Sequence, residues 1–164
     1  MFVPFEDMPA QSRVWIYPAS RQLTGQEIAA AGKMLKEFCE QWKAHGHPLH
    51  TSFTISFDRF IILAANEQMA SASGCSIDSS VHTIQKIGEF LKIDLFDRTQ
   101  IPFIKNDKVI SYPLSEVKKL MNSGTLTPQD LTFNLLASTK QEWEYKGRIT
   151  ISDSWMSRYL TASV

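Results

Sequence analysis

An α+β fold follows from three observations on the sequence. Two stretches carry apolar residues at helical spacing: Ile28, Ala31, Leu35, Phe38 and Trp42 in one, Ile77, Val81, Ile84, Ile87 and Leu91 in the other. Five short segments between Arg13 and Tyr112 are rich in β-branched and aromatic residues, either alternating with polar ones or running continuously apolar. The order up to Tyr112 is strand, helix, strand, strand, helix, strand, strand, and its first six elements match a ferredoxin-like βαββαβ sandwich. A mixed or antiparallel sheet covered by two helices, with elaborations toward the carboxyl end, is the expected architecture.

Residues 1–12, with Pro4 and Pro9 and no clear period, read as an irregular arm whose Phe2, Val3, Phe5 and Met8 pack on the body. Arg13 to Tyr17 alternates and forms the first strand, which Pro18 ends. Thr24 with Glu27 three residues later is a capping box, so a helix is expected from there to about His45, with Gly46 as its stop. Thr51 to Phe57 alternates and is expected half-exposed, while Phe60 to Ala65 is continuously apolar and central, the two joined around Asp58 and Arg59. Asp-Arg is not a favoured hairpin pair.

A loop of small residues, Ala70 to Cys75, leads into the second helix, expected from about Asp78 to Lys92 with Asp78 or Ser76 as its cap. Ile101 to Lys105 and Lys108 to Tyr112 flank the turn pair Asn106-Asp107. Leu114 to Met121 reads as a short helix capped by Ser115 and ended near Gly124. Thr127-Pro128 has the form of a helix start, and 131–150 mixes periods so that helix and strand stay undecided. A last short helix is expected around Ser154 to Leu160.

At 164 residues, with 43% hydrophobic and 21% charged, the chain fits a single globular domain over 1–164. Seventeen basic against seventeen acidic side chains give no net charge, which argues against nucleic-acid and membrane-surface partners. Glu6 and Asp7 interrupt the amino terminus where a secretory signal would be apolar, and Phe60 to Ala65 is too short to cross a bilayer. Cys39 and Cys75 suit a reducing compartment, so a cytoplasmic location is expected. No cofactor motif is present.

Chemistry concentrates between Gly74 and His82. A helix start there offers backbone amides, and Ser76, Ser79 and Ser80 offer hydroxyls, a combination that cradles a phosphate or carboxylate; Arg59 or Arg98 would supply the charge. Cys75 is a weaker candidate, as a nucleophile needing His82 as its cationic partner, yet His82 is expected on the outer helix face, away from it. Asp78, Ser79 and His82 on one helical turn do not make a triad, because a base must sit between nucleophile and acid. Asp78 as a cap would compete with an anion. His45, His47 and His50 are weak metal candidates, lacking a local acidic or cysteine ligand. Cys39 beside the first apolar stripe reads as a buried hydrophobe.

Phe2-Val3-Pro4-Phe5, Ser12-Arg13-Val14-Trp15-Ile16-Tyr17, Phe57-Asp58-Arg59-Phe60, Ala72 to His82, Leu95-Phe96-Asp97-Arg98-Thr99 and Asp153-Ser154-Trp155 together resemble a small uncharacterised bacterial family. Its members often carry the label "ABC transporter ATPase". An ATP-binding cassette needs Gly-x-x-x-x-Gly-Lys-Ser/Thr after a strand, because those amides and that lysine hold the phosphates. No such loop occurs here. Leu23-Thr24-Gly25-Gln26-Glu27 resembles the cassette signature only faintly, and the capping box accounts for it. The expected function is therefore a non-ATPase binding module for a small anionic ligand or a protein partner at Gly74 to His82. A thiol-dependent enzyme using Cys75 and a structural role, as a homodimer through the outer face of the second helix, are the alternatives.

Overall fold

The computed structural model describes residues 1–68 and 70–160. Its elements are β1 (Arg13–Pro18), α1 (Gly25–Gln41), β2 (Lys43–Ala44), β3 (His47–Pro48), β4 (His50–Ser56), β5 (Phe60–Asn66), α2 (Gly74–Leu91), β6 (Gln100–Lys105), β7 (Lys108–Pro113), α3 (Leu114–Asn122), β8 (Leu131–Phe133), α4 (Lys140–Lys146), β9 (Arg148–Thr150) and α5 (Ser157–Leu160). The fold is α+β. Its strands form three antiparallel assemblies, in the orders β1-β5-β4, β2-β3 and β7-β6-β8-β9.

β5 is apolar and buried from Phe60 to Ala65 because both its faces are covered there. Ile61, Leu63 and Ala65 join Leu35, Cys39, Ile84 and Ile87 in the core beneath α1 and α2. Phe60, Ile62 and Ala64 face the other way, onto Phe133 and Trp143. A third core lies on the far side of the second sheet, where Ile101 and Phe103 meet Val117, Leu126, Ile151 and Met156. Helices, sheet, sheet and helices thus succeed one another.

The antiparallel sheet covered by two helices is present, with the strand order that a βαββαβ sandwich gives its first three strands. The fourth strand departs. β6 would lie beside β1 in a ferredoxin-like sheet, but pairs with β7 and β8 instead. The place beside β1 is taken: Val14 donates its amide to Ser138 at 3.0 Å, Ser12 accepts from the Lys140 amide at 2.9 Å, and the Ile16 carbonyl accepts from Arg98 Nη2 at 2.9 Å. The opposite edge is covered by the amino-terminal arm, where Val3 N bonds Thr51 O at 2.9 Å. Met8 in that arm is buried.

Several boundaries differ from expectation, each for a physical reason. α1 ends at Gln41 rather than His45, because the next residue, Trp42, is buried and gives its indole N–H to Ser76 O at 2.8 Å. His45 and Gly46, both at positive φ, then turn β2 into β3. α2 begins at Gly74, capped by Ser73, whose hydroxyl accepts from Ser76 N at 3.2 Å; neither Asp78 nor Ser76 is the cap. Its buried face is accordingly Ser76, Ser80, Ile84, Ile87 and Leu91, with Ile77 and Val81 on the flank. The β4–β5 turn places Phe57 and Asp58 at positive φ and leaves Arg59 as an extra residue, since Ser56 pairs with Phe60. α3 follows Pro113 with no side-chain cap from Ser115.

Thr127-Pro128 starts no helix. The Asp130 carboxylate accepts from Thr127 N at 2.8 Å and pairs with Lys105 Nζ at 2.9 Å, which closes the segment as a turn. The undecided stretch 131–150 resolves into β8, α4 and β9, with Thr139 capping α4. The terminal helix is shortened to α5. Among the described residues no helix is long and apolar enough to cross a membrane.

Arg59 ties the two sheets together. Its side chain is only 7% exposed, and it donates from Nη1 to Ser20 O at 3.3 Å and Ser111 Oγ at 3.1 Å, and from Nη2 to Val109 O at 3.2 Å. Replacing it by alanine leaves these acceptors unsatisfied, so R59A is expected to lose about 2 kcal/mol or more of unfolding free energy in urea titrations. A loss under about 0.5 kcal/mol, the range of ordinary surface substitutions, contradicts the clamp.

The capping box of α1 adds a pH dependence. Glu27 accepts from both Arg21 Nη atoms at 2.8 Å and from Thr24 N at 2.9 Å. The Arg21 guanidinium, helped by that amide, pulls its carboxyl from the ordinary 4.5 to about 2. A carboxyl depressed by folding stabilises the fold above its unfolded pKa and loses that contribution as pH falls through the interval. The urea midpoint of wild type is thus expected to exceed that of E27Q at about pH 6 and to converge on it near about pH 2. A gap independent of pH contradicts the assignment.

Candidate functional site

The loop into α2 is built by local bonds. Asn66 Oδ1 accepts from Gln68 N at 3.0 Å, Glu67 Oε1 accepts from Ala72 N at 2.8 Å, and Ser76 Oγ donates to Ser73 O at 2.8 Å. Ser73 then satisfies the Ser76 amide with its hydroxyl and the Ile77 amide with its carbonyl. No described group accepts from the amides of Gly74 and Cys75, the first two residues of the helix. No acidic residue lies in this first turn, and Asp78 is exposed one turn on.

A groove of about 740 Å³ opens over this helix start. Gly74, Cys75, Ser76 and Ser79 line one wall, and Trp42, Lys43 and His45 line the other. The two walls are held in register by the Trp42 indole, which bonds Ser76 O and packs on Phe38 and Trp15 with ring centroids at 4.9 and 5.6 Å. Lys43 and His45 are both exposed and line the groove. The arrangement offers two free amides, a serine hydroxyl, an ammonium, an imidazole and a thiol.

The residues singled out from the sequence divide among five places. Gly74, Cys75, Ser76 and Ser79 come together in the groove. Ser80 is buried, its hydroxyl bonded to Ile77 O at 2.6 Å and close to Tyr17, whose own pKa burial raises. His82 is exposed on the helix surface, 3.3 Å from Gln85 Oε1, and does not line the groove. Arg59 lies at the far end of β5, which at ~3.3 Å per residue puts a strand length of about 20 Å between it and the α2 start. Arg98 supports the β1 edge. Neither arginine lines the groove.

Lys43 takes the place expected for the arginines. Nothing local to the α2 loop could have indicated it, since Lys43 arrives through the Trp42–Ser76 contact between distant parts of the chain. His45, His47 and His50 lie in the β2–β3 turn, in β3 and in β4, and among the described residues no three His, Cys, Asp or Glu side chains come together in a metal-holding arrangement.

The two cysteines differ in environment. Burial pushes the Cys39 thiol up to about 12, and its carbonyl accepts from Thr51 Oγ1 at 2.6 Å, whereas Cys75 is exposed in the groove. Mass spectrometry after iodoacetamide treatment is expected to show one adduct, at Cys75, in the native protein and two in the urea-unfolded chain. Native labelling of Cys39 contradicts this. No protein-family model, curated protein or solved structure matches the chain.

Proposed function

We propose that this chain is a binding module whose α2 groove takes a small ligand through a phosphate or carboxylate group. The observation that carries the reading is the neutral start of α2: Ser73 rather than an aspartate is the cap, so the Gly74 and Cys75 amides stay free beside Lys43. A helix amino terminus favours an anion, and a lysine across the groove adds a charge-assisted bond. The chain's zero net charge fits a small ligand better than a polyanion. Two free cysteines fit a reducing compartment, and the cytoplasm is the proposed location. On this reading, a cassette ATPase label for chains of this kind reflects no phosphate-binding loop of their own.

A second reading, thiol chemistry at Cys75, draws on the presence of Lys43 and His45 in the same groove. Alkylation kinetics separate the two: a Cys75 rate no faster than that of a free thiol removes the enzymatic reading and leaves the binding one.

Titration of labelled protein with inorganic phosphate, sulfate and citrate, followed by amide NMR, tests the binding reading. Saturable shifts at Gly74 and Cys75 are expected, weakened about tenfold in K43E and in S73D, which keeps a cap but places a carboxylate on it. Absence of saturable shifts with all three anions, or equal binding by S73D, overturns it.

A further inference from the structure

A second groove, of about 500 Å³, shares no lining residue with the first and lies between β6, β8 and β9 and the segments that follow them. Its walls are mainly hydrocarbon: Ile101, Leu114, Phe133, Leu135, Ile149 and Trp155. Its rim is apolar as well, with Leu136 86% exposed, Trp155 42% and Leu114 39%. Isolated exposed apolar residues need no explanation, but three gathered around one concavity of ligand size do.

The polar groups in this groove are selective in kind. Arg98 gives one N–H to Ile16 O, and no ion pair joins it to a carboxylate among the described residues. Its planar fork therefore keeps further donors. Asn134 Oδ1 accepts from Leu136 N at 3.2 Å, which orients the amide and leaves its NH₂ as a second donor. Asp153, the one acidic side chain of the lining, already accepts from Thr150 Oγ1 at 3.0 Å. The Thr132 and Ser154 hydroxyls of the lining donate to Pro102 O and Ile151 O, so the cation and amide donors beside hydrocarbon walls call for a ligand whose head only accepts and whose body is hydrocarbon.

We infer that this groove binds an apolar monocarboxylate, its head on Arg98 and Asn134 and its hydrocarbon against Phe133, Ile149 and Trp155. The site is separate from the α2 groove and does not depend on it. Arg98 is held by its bond to the β1 edge, so its guanidinium is positioned before any ligand arrives, and less side-chain entropy is lost on binding.

Calorimetric titration with octanoate and with 3-phenylpropanoate, against 1-octanol and octylamine of matched size, tests the inference and distinguishes a linear from an aryl body. At least one carboxylate is expected to bind about tenfold or more tightly than the alcohol and the amine. R98M is expected to weaken that binding about tenfold or more, and L136E, at an exposed position that folding does not need, to weaken it by like-charge repulsion. S73D is expected to leave it unchanged, which separates this site from the α2 groove. Binding of the alcohol or amine as tight as that of the carboxylates, an R98M affinity equal to wild type in a protein with an unchanged unfolding midpoint, or no binding of either carboxylate overturns the inference.

Discussion

Ser12, Val14 and Ile16 turn backbone groups away from β5, and most of the architecture depends on what meets them. An uncovered strand edge is a template for unwanted pairing, so the groups must be satisfied by something. Here they are met by the Ser138 carbonyl, the Lys140 amide and the Arg98 guanidinium. Pro18, which has no amide to offer, continues the same outward phase. With that edge closed, β6 has no place in the first sheet. It founds a second one, and the apolar face of β5 that a two-layer sandwich would expose to solvent becomes the floor of another core.

Two arginines hold this arrangement, and they do so differently. Arg59 is nearly buried and meets only neutral acceptors, one in the loop after β1 and two in β7. Burial lowers its pKa, and no carboxylate offsets the desolvation. Such a group persists because its geometry lets a single side chain bridge β7, the turn before β5 and the loop after β1. Arg98 has a single backbone acceptor and is partly exposed, although burial lowers its pKa as well. The first is committed to the fold, whereas the second retains unused donors beside hydrocarbon.

What the sequence revealed and what it hid divide along the range of the interactions. The Thr24–Glu27 box, the continuous run of β5 and the Asn106-Asp107 turn are decided within a few residues, and each lies where the pattern puts it. The α2 start lies earlier than its pattern suggests: Asp78 or Ser76 is the expected cap, but Ser73 caps instead, which carries Gly74 and Cys75 into the helix. Thr127-Pro128-Gln129-Asp130 has the local form of a helix start, but Asp130 is drawn into a turn by Thr127 N and by a lysine from β6. The same holds at the site. One wall of the α2 groove is contiguous and readable, but Lys43 reaches it only through the burial of Trp42, which no local pattern encodes.

The closure of the β1 edge also bears on how the chain is made. Ribosomal synthesis delivers the first sheet and its two helices well before residues 138–140 exist, and domains assemble from the amino-terminal side as they emerge. Throughout that interval β1 presents open amides and carbonyls, next to a β5 face whose Phe60 and Ile62 await Phe133 and Trp143. Until residues 133–143 are made, the chain carries both an unpaired strand and bare hydrocarbon, and it is this later segment that covers them.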